Sequence, residues 1–197
     1  MVNSNFNSKE YWEERYKNSG NSGSGSYGNE ANFKSTYINK FISDYKIKSI
    51  NDFGCGDSNQ IAMLNGFEKY TGFDISKTIL DLCKNKFKSD NRFNFVNNVN
   101  DMLLSDVTFS LDVTYHVVED EYFNEYMHNL FKLTNKYVLI YSINSDDSSG
   151  FAEHLKNRKF VDWASVNYPN FELIDNKPFV NKDNGVGFYL FKIKWYY

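Results

Sequence analysis

The sequence predicts one α/β domain: a seven-stranded mixed sheet of six parallel strands and one antiparallel strand, with helices on both faces and an N-terminal helical cover. Three observations support this prediction. From residue 46 onward, short apolar runs typical of strands alternate with segments of helical periodicity. A glycine-rich turn follows the first run. The last two strand-like runs have no helix between them, which indicates an antiparallel connection.

The composition is that of a globular protein of ordinary domain size, with 197 residues, 41% of them hydrophobic and 18% aromatic. The net charge of −3 argues against nucleic acid as a partner, because proteins that neutralise phosphates usually have a basic excess. Residues 1–7 lack the apolar core of a signal peptide, and no run is long enough to span a membrane. The two cysteines, Cys55 and Cys83, lack zinc-type spacing, so no metal is expected. These features predict a cytoplasmic protein and leave its oligomeric state open.

The N-terminal cover, residues 1–45, is predicted to contain two helices joined by a Ser/Gly-rich loop, residues 18–28. The first helix covers residues 8–16, with Ser8 as its N-cap. By composition the Ser/Gly loop is a flexible linker. The second helix, residues 30–43, has apolar side chains at helical spacing.

The core, residues 46–197, is predicted to alternate strands and helices. The predicted strands cover residues 49–53, 70–75, 93–96, 107–112, 137–142, 171–174 and 187–194. The predicted helices are a short one after the first strand and then residues 76–87, 122–131 and 151–160. Ligands of such sheets bind beyond the carboxyl ends of the strands. Functional residues are therefore expected at positions 54–58, 74, 97–99, 112–116 and 144–150.

The most informative motif is Asp52-Phe53-Gly54-Cys55-Gly56-Asp57 at the end of the first strand. Its glycines permit a tight turn and the close approach of a ligand to bare backbone. Asp74 ends the second strand, where an acidic side chain can accept hydrogen bonds from both ribose hydroxyls of an adenosine. A dinucleotide site would need a third glycine at position 59, which is Asn59. The motif therefore favours an adenosyl ligand without a pyrophosphate.

This combination resembles the class I, Rossmann-like methyltransferases, and the resemblance extends from about Tyr11 to the C-terminus. It implies S-adenosylmethionine as cofactor. The implied cofactor-binding residues are Tyr11, Arg15, Asp52, Gly54, Gly56, Asp74, Ile75, Asn98 and Asp112. In similar enzymes an aromatic and basic N-terminal segment closes over the cofactor, so the Ser/Gly loop is interpreted either as a lid or as a linker. The histidine after the fourth strand, His116, is a candidate base or a structural residue.

The methyl acceptor is less well defined by the sequence. There is no Asn/Asp-Pro-Pro-aromatic motif and no Pro-Cys, which further disfavours nucleic acid. The segment from His154 to Trp163, with Arg158 between them, resembles a pattern found in proteins of carbohydrate biosynthesis. We therefore expect a small-molecule acceptor, a sugar or nucleotide-sugar hydroxyl, with His154 favoured over His116 as base and Arg158 orienting the acceptor. The alternatives are N-methylation of an amine metabolite and a noncatalytic, cofactor-binding partner subunit.

Overall fold

The computed structural model describes residues 6–149, 152–179 and 185–194. The helices are α1 (Ser8–Lys17), α2 (Gly28–Tyr45), α3 (Lys77–Lys86), α4 (Asp120–Lys132) and α5 (Phe160–Asn167). The strands are β1 (Ser49–Phe53), β2 (Lys69–Phe73), β3 (Phe93–Val96), β4 (Ser105–Leu111), β5 (Thr134–Ile143), β6 (Phe171–Pro178) and β7 (Val186–Ile193). Gly150 and Phe151, which the predicted functional and helical segments included, lie outside the described residues, as do residues 1–5.

The strands form one sheet in the order β3-β2-β1-β4-β5-β7-β6. The pairs from β3 through β5 are parallel, and β7 pairs antiparallel with both β5 and β6. β6 therefore runs in the same direction as β5, so six strands are parallel and β7 is the antiparallel one. The predicted fold class is confirmed. The antiparallel strand lies one position inside the sheet edge, which β6 forms.

Two apolar clusters cover the two faces of the sheet, as the alternation of side chains along a strand requires. On β5, Leu139 and Tyr141 belong to the cluster with α2 and α3, whereas Val138 and Ile140 belong to the cluster with α4 and α5. Both faces of the central strands are thus buried, which explains the continuous apolar run of β5.

Two predicted helices differ from the structure. The chain after β1 forms only a 3₁₀ turn at Ile61–Met63, because Asp57, Ser58 and Asn59 are poor helix formers and Ser58 has a left-handed φ of 56°. Residues 152–159 form turns and a short bridge between Asn144 and Arg158, so the predicted helix over residues 151–160 is wrong. Helix α5 begins at Phe160 instead.

The first helix also begins differently from the prediction. Asn7, not Ser8, is the N-cap of α1: its side-chain oxygen accepts hydrogen bonds from the backbone N–H groups of Lys9 and Glu10. The Ser8 hydroxyl donates to Glu119, just before α4, which fastens the N-terminal cover to the core. At α3, by contrast, Ser76 is the N-cap as predicted and accepts from the Ile79 N–H.

Candidate active site

The Gly54-Cys55-Gly56 turn lies directly after β1 and requires both glycines. Gly54 and Gly56 have φ values of 79° and 51°, in the left-handed region that favours glycine. A Cβ on Gly56 would come 2.2 Å from Ser22 Oγ, and one on Gly54 would come 2.7 Å from the Val113 side chain. The turn therefore exposes bare backbone to the space above the sheet.

Asp74 follows β2, and its side chain accepts a hydrogen bond from this turn. Its Oδ2 accepts from the Gly56 N–H at 3.0 Å and its Oδ1 accepts from the Ser76 N–H at 2.9 Å. Burial, opposed by these backbone hydrogen bonds, raises the pKa of Asp74 to about 6. A carboxylate at a strand end is normally solvated, but this one is only 5% exposed. It therefore organises the turn even without a ligand.

A second carboxyl, Asp52, lies on β1 itself. It is buried and accepts from the Tyr70 hydroxyl at 2.8 Å. Burial raises its pKa to about 7, and the nearby charge of Asp74 adds to the rise, while the Tyr70 hydrogen bond and Lys34 oppose it. Two buried carboxyls below the Gly-rich turn favour a positively charged ligand above it.

Lys34, on α2, supplies the positive charge that the sequence analysis did not find. The residue is 1% exposed and its ammonium forms an ion pair with Asp112. Asp112 follows β4 with a φ of 61°, unusual for a residue other than glycine, and its other oxygen accepts from the Tyr115 hydroxyl at 2.7 Å. Strain of this kind persists where surrounding contacts hold it, and it clusters at functional sites.

Gln60 contributes a buried acceptor without a partner. Its Nε2 donates to the Ala31 carbonyl at 3.2 Å, which leaves Oε1 as the free atom of the amide. Oε1 is one of two buried side-chain polar atoms with no hydrogen-bond partner among the described residues. Because unsatisfied buried acceptors are costly, and Gln60 lines the cavity, this oxygen indicates a ligand donor.

The Ser/Gly loop packs over the Gly-rich turn. Asp57 holds it in place, since its Oδ2 accepts from both the Ser22 N–H and the Tyr27 hydroxyl. Asn59 donates to the Ser26 carbonyl at 2.7 Å. At Gly25 a Cβ would lie 2.8 Å from Asp112 Oδ2. A loop that touches the residues after both β1 and β4 covers the site, which supports a lid rather than a plain linker.

These groups line one cavity with about 830 Å³ of empty space, its opening included. The predicted site residues that line it are Asp52, Gly54, Gly56, Asp74, Ile75, Asp112 and His116. Asn98 lines an adjoining cavity with Asn97 and Val99, and its side chain accepts from the Asn100 N–H at 3.1 Å. Tyr11 and Arg15 are not among the lining residues of either cavity, although their neighbour Trp12 lines the first.

The two candidate bases occupy different environments. His116 lines the cavity, and its Nδ1 lies 3.3 Å from the His154 carbonyl oxygen. His154 stacks on Tyr11 at 4.9 Å between ring centroids and on His116 at 5.8 Å, farther from the cavity. Burial, chiefly, lowers the pKa of His116 to about 4; burial and then the charge of Arg15 lower that of His154.

Arg158 does not share a helix face with His154, because the segment is not helical. Its guanidinium donates to the Val117 and Val118 carbonyls and to Asp120. It also lies 4.3 Å from the centroid of the Phe123 ring. These contacts fix the chain before α4, and Arg158 does not line either cavity. The structure therefore places it away from the acceptor side that the sequence analysis assigned to it.

Comparisons with known proteins agree with this geometry. The fold matches magnesium protoporphyrin IX methyltransferase from Synechocystis, solved with S-adenosylmethionine, over 98% of this chain and 100% of that one, at 14% identity and a TM-score of 0.71. It matches the N-methyltransferase NodS from Bradyrhizobium japonicum, solved with S-adenosylhomocysteine, over 95% and 99%, at 11% identity and a TM-score of 0.75. No curated protein sequence matches the chain. Residues 51–136 match the family model described as a methyltransferase domain. Residues 51–136 therefore match a methyltransferase domain, and the whole chain has the fold of these two methyltransferases.

The residues of the cavity fit S-adenosylmethionine, the ligand with which the Synechocystis enzyme was solved. The bare Gly-rich turn, the buried carboxyls and the unpartnered Gln60 oxygen together suit a ligand with positive charge and hydrogen-bond donors. Within the described residues, no helix is both long and apolar enough to cross a membrane.

Proposed function

We propose that this protein is an S-adenosylmethionine-dependent methyltransferase that methylates a hydroxyl group of a sugar or nucleotide sugar, with His116 as the general base. The observation that supports the proposal is the state of His116. The His154 carbonyl can only accept a hydrogen bond, so Nδ1 of His116 is the protonated nitrogen and Nε2 keeps its lone pair. A low pKa keeps the ring uncharged at neutral pH. The same low pKa makes His116 a weak base. A weak base suffices when the proton leaves as the oxygen–methyl bond forms, because the acceptor oxygen is then positively charged and strongly acidic.

The other residues of the cavity bind and orient the cofactor and the acceptor. When bound, S-adenosylmethionine supplies a methyl group on a positively charged sulfur, already activated for transfer. In this proposal Asp74, which lines the cavity, would accept hydrogen bonds from the ribose hydroxyls, and Asn98, which lines the adjoining cavity, would bond to the adenine. Lys34 offers a hydrogen-bond donor to the amino-acid end of the cofactor, and Asp112 and Gln60 offer it acceptors. Alignment of acceptor and methyl group is then the main catalytic contribution, and His116 accepts the proton as the bond forms.

The rim of the cavity supports a sugar acceptor. Trp12 and His116 both line the cavity, and their rings meet edge-on with 4.8 Å between centroids. Tyr11 and His154 stack on each other beside this pair. Sugars present apolar C–H faces that pack on aromatic rings, and hydroxyls that bond to imidazole nitrogens. The base in this arrangement is His116 rather than His154, which the sequence analysis favoured, because only His116 lines the cavity.

The test is methyl transfer from labelled cofactor to panels of sugars, nucleotide sugars and amines. We expect label in the sugar or nucleotide-sugar panel. We also expect His116→Ala to lower kcat about 10²–10⁴-fold while the Kd for S-adenosylhomocysteine stays unchanged. His128→Ala, a histidine bonded to Tyr168 outside both cavities, is the matched control. Label in amines alone would establish N-methylation, and no label in any panel would favour a noncatalytic binding subunit.

A further inference from the structure

Arg15 lies next to Trp12, the residue that lines the cavity beside the proposed base. Its Nε donates to the Asn21 carbonyl at 2.9 Å, which fixes the side chain against the Ser/Gly loop. Its guanidinium carbon lies 5.4 Å from the centroid of the Trp12 ring. Since Trp12 in turn contacts His116, a single ring separates the guanidinium from the imidazole. The resemblance to methyltransferases assigned Arg15 to the cofactor, but Arg15 does not line the cofactor cavity.

Arg15 has no carboxylate partner within the described part of the chain, unlike the other arginines. Arg92 pairs with Asp90, and Arg158 pairs with Asp120. The acidic residues next to Arg15 on α1 are bonded elsewhere. Glu13 accepts from the Ser76 and Thr78 hydroxyls, and Glu14 pairs with Lys17. The two terminal nitrogens of Arg15 are thus free to bind an external anion.

We propose that Arg15 binds an oxyanion group of the methyl acceptor, a phosphate or a carboxylate, and so positions the acceptor hydroxyl near His116. This inference rests on the proposed function, because it assigns a second group to the same acceptor. A guanidinium presents paired N–H donors that match the two oxygens of a phosphate or carboxylate. A nucleotide sugar would supply its diphosphate and an acidic sugar its carboxylate.

The histidines provide a readout that does not require activity. Arg15 acts on both imidazoles at the rim and holds their pKa values down, alongside burial. An anion that neutralises Arg15 should therefore raise the pKa of His154, which faces Tyr11, His116 and Arg15. His128 lies near Trp163 and Tyr168 on another part of the surface and serves as an internal reference.

The experiment is an NMR titration of the histidine ring protons in the complex with S-adenosylhomocysteine. Inorganic pyrophosphate is the phosphate probe and acetate the carboxylate probe. We expect one of them to raise the pKa of His154 in the wild type without affecting His128, and the more effective probe identifies the acceptor's anionic group. Arg15→Gln should raise the Kd of that probe at least about tenfold, whereas Lys17→Gln, on the same helix, should not.

Several results would overturn the proposal. The proposal is wrong if neither probe shifts the pKa of His154. It is also wrong if the shift persists in Arg15→Gln, which would place the anion elsewhere. A matching loss of S-adenosylhomocysteine affinity in Arg15→Gln would return Arg15 to the cofactor. These outcomes can be told apart from a failure of the proposed function. If sugars are methylated but neither probe changes the pKa of His154, only the anion site is contradicted. A positive titration with label only in amines contradicts the sugar acceptor alone.

Discussion

The buried carboxyl of Asp52 makes the stability of the protein without cofactor depend on pH. Its pKa of about 7 in the folded state lies above the usual value, so the folded protein binds this proton more tightly than the unfolded chain. The resulting stabilisation is complete below the usual pKa and is lost as pH rises through about 7. An asparagine at this position resembles the protonated carboxyl and can still accept from the Tyr70 hydroxyl. We therefore expect Asp52→Asn to lose less stability than the wild type as the pH rises from about 5 to about 8.

Urea unfolding of the cofactor-free protein at several pH values measures this difference. Asp74, whose pKa is also raised, contributes in the same direction, so the variant should keep a smaller slope. Asp162→Asn, at an exposed position on α5, is the matched control and should follow the wild type. Parallel stability curves for Asp52→Asn and the wild type would contradict the prediction.

Replacing Asp74 should damage both the fold and the binding of cofactor. Asp74→Ala removes the acceptor for the Gly56 and Ser76 N–H groups, and leaving buried donors unpaired costs about 1–3 kcal/mol each. If Asp74 accepts hydrogen bonds from the ribose, as we propose, their loss should weaken S-adenosylhomocysteine binding about ten- to a hundredfold. Thermal unfolding without ligand and calorimetric titration with it separate the two effects. A variant as stable as the wild type would show that the turn does not depend on this carboxyl.

The site residues differ in how far sequence alone can reveal them. Gly54, Gly56 and Asp74 directly follow β1 and β2, and consecutive parallel strands end at the same edge of a sheet, so their meeting was predictable. Lys34 was not, because a lysine on an amphipathic helix is normally at the surface and only the packing of α2 buries it. The unpaired oxygen of Gln60 is likewise invisible in a sequence, since it depends on which atoms surround the amide.

The role of the Ser/Gly loop as a lid can be tested by adding a methyl group at Gly25, where the loop contacts Asp112. Gly25 does not have a left-handed φ, so Gly25→Ala is permitted by the backbone, but its Cβ would crowd Asp112. If relief of this crowding favours the open loop by about 1 kcal/mol, the open population rises roughly fivefold. Proteolysis within the loop should accelerate accordingly and should slow in the wild type at saturating S-adenosylhomocysteine.

Ser24→Ala is the control for this experiment, because Ser24 is exposed in the same loop. It should be cut at the wild-type rate. Cutting rates that are equal in Gly25→Ala and the wild type, and that do not respond to ligand, would return the loop to the linker class.

The strands were easier to predict than the helices, for a physical reason. Strands such as β5 contain a continuous apolar run, here Tyr137 to Tyr141, that is buried on both faces, so their position is evident from composition. The segment before α5 contains His154, Arg158 and Phe160 at spacings compatible with a helix. Side-chain bonds from Asn157 to the Asp147 carbonyl and from Arg158 to the Val117 and Val118 carbonyls hold it in an irregular path instead. Such long-range bonds have no signal in local periodicity.

At the scale of the whole molecule, the N-terminal cover is two parts with different roles. Helix α2 buries Ile38, Phe41 and Ile42 in the apolar cluster that also contains β1, β2 and α3. Helix α1 buries only Ser8 and Tyr16 and is attached largely by hydrogen bonds through Ser8 and Glu13. The division at residue 45 therefore separates α2 from a core to which it structurally belongs.

Truncation distinguishes these two parts. Three large apolar side chains of α2 contribute about 1.5–3 kcal/mol each, comparable to the net stability of about 5–15 kcal/mol of a typical domain. A chain that begins at residue 46 should therefore show no cooperative unfolding.

A chain that begins at residue 28 keeps α2 and should fold, but it lacks Trp12, Tyr16 and Ser22, which line the cavity. We expect its thermal stabilisation by S-adenosylhomocysteine to fall by at least about 1.4 kcal/mol, equivalent to tenfold weaker binding. Circular dichroism melts with and without the ligand measure both effects. Cooperative unfolding of the chain from residue 46, or full ligand stabilisation of the chain from residue 28, would show that the cover is divided differently.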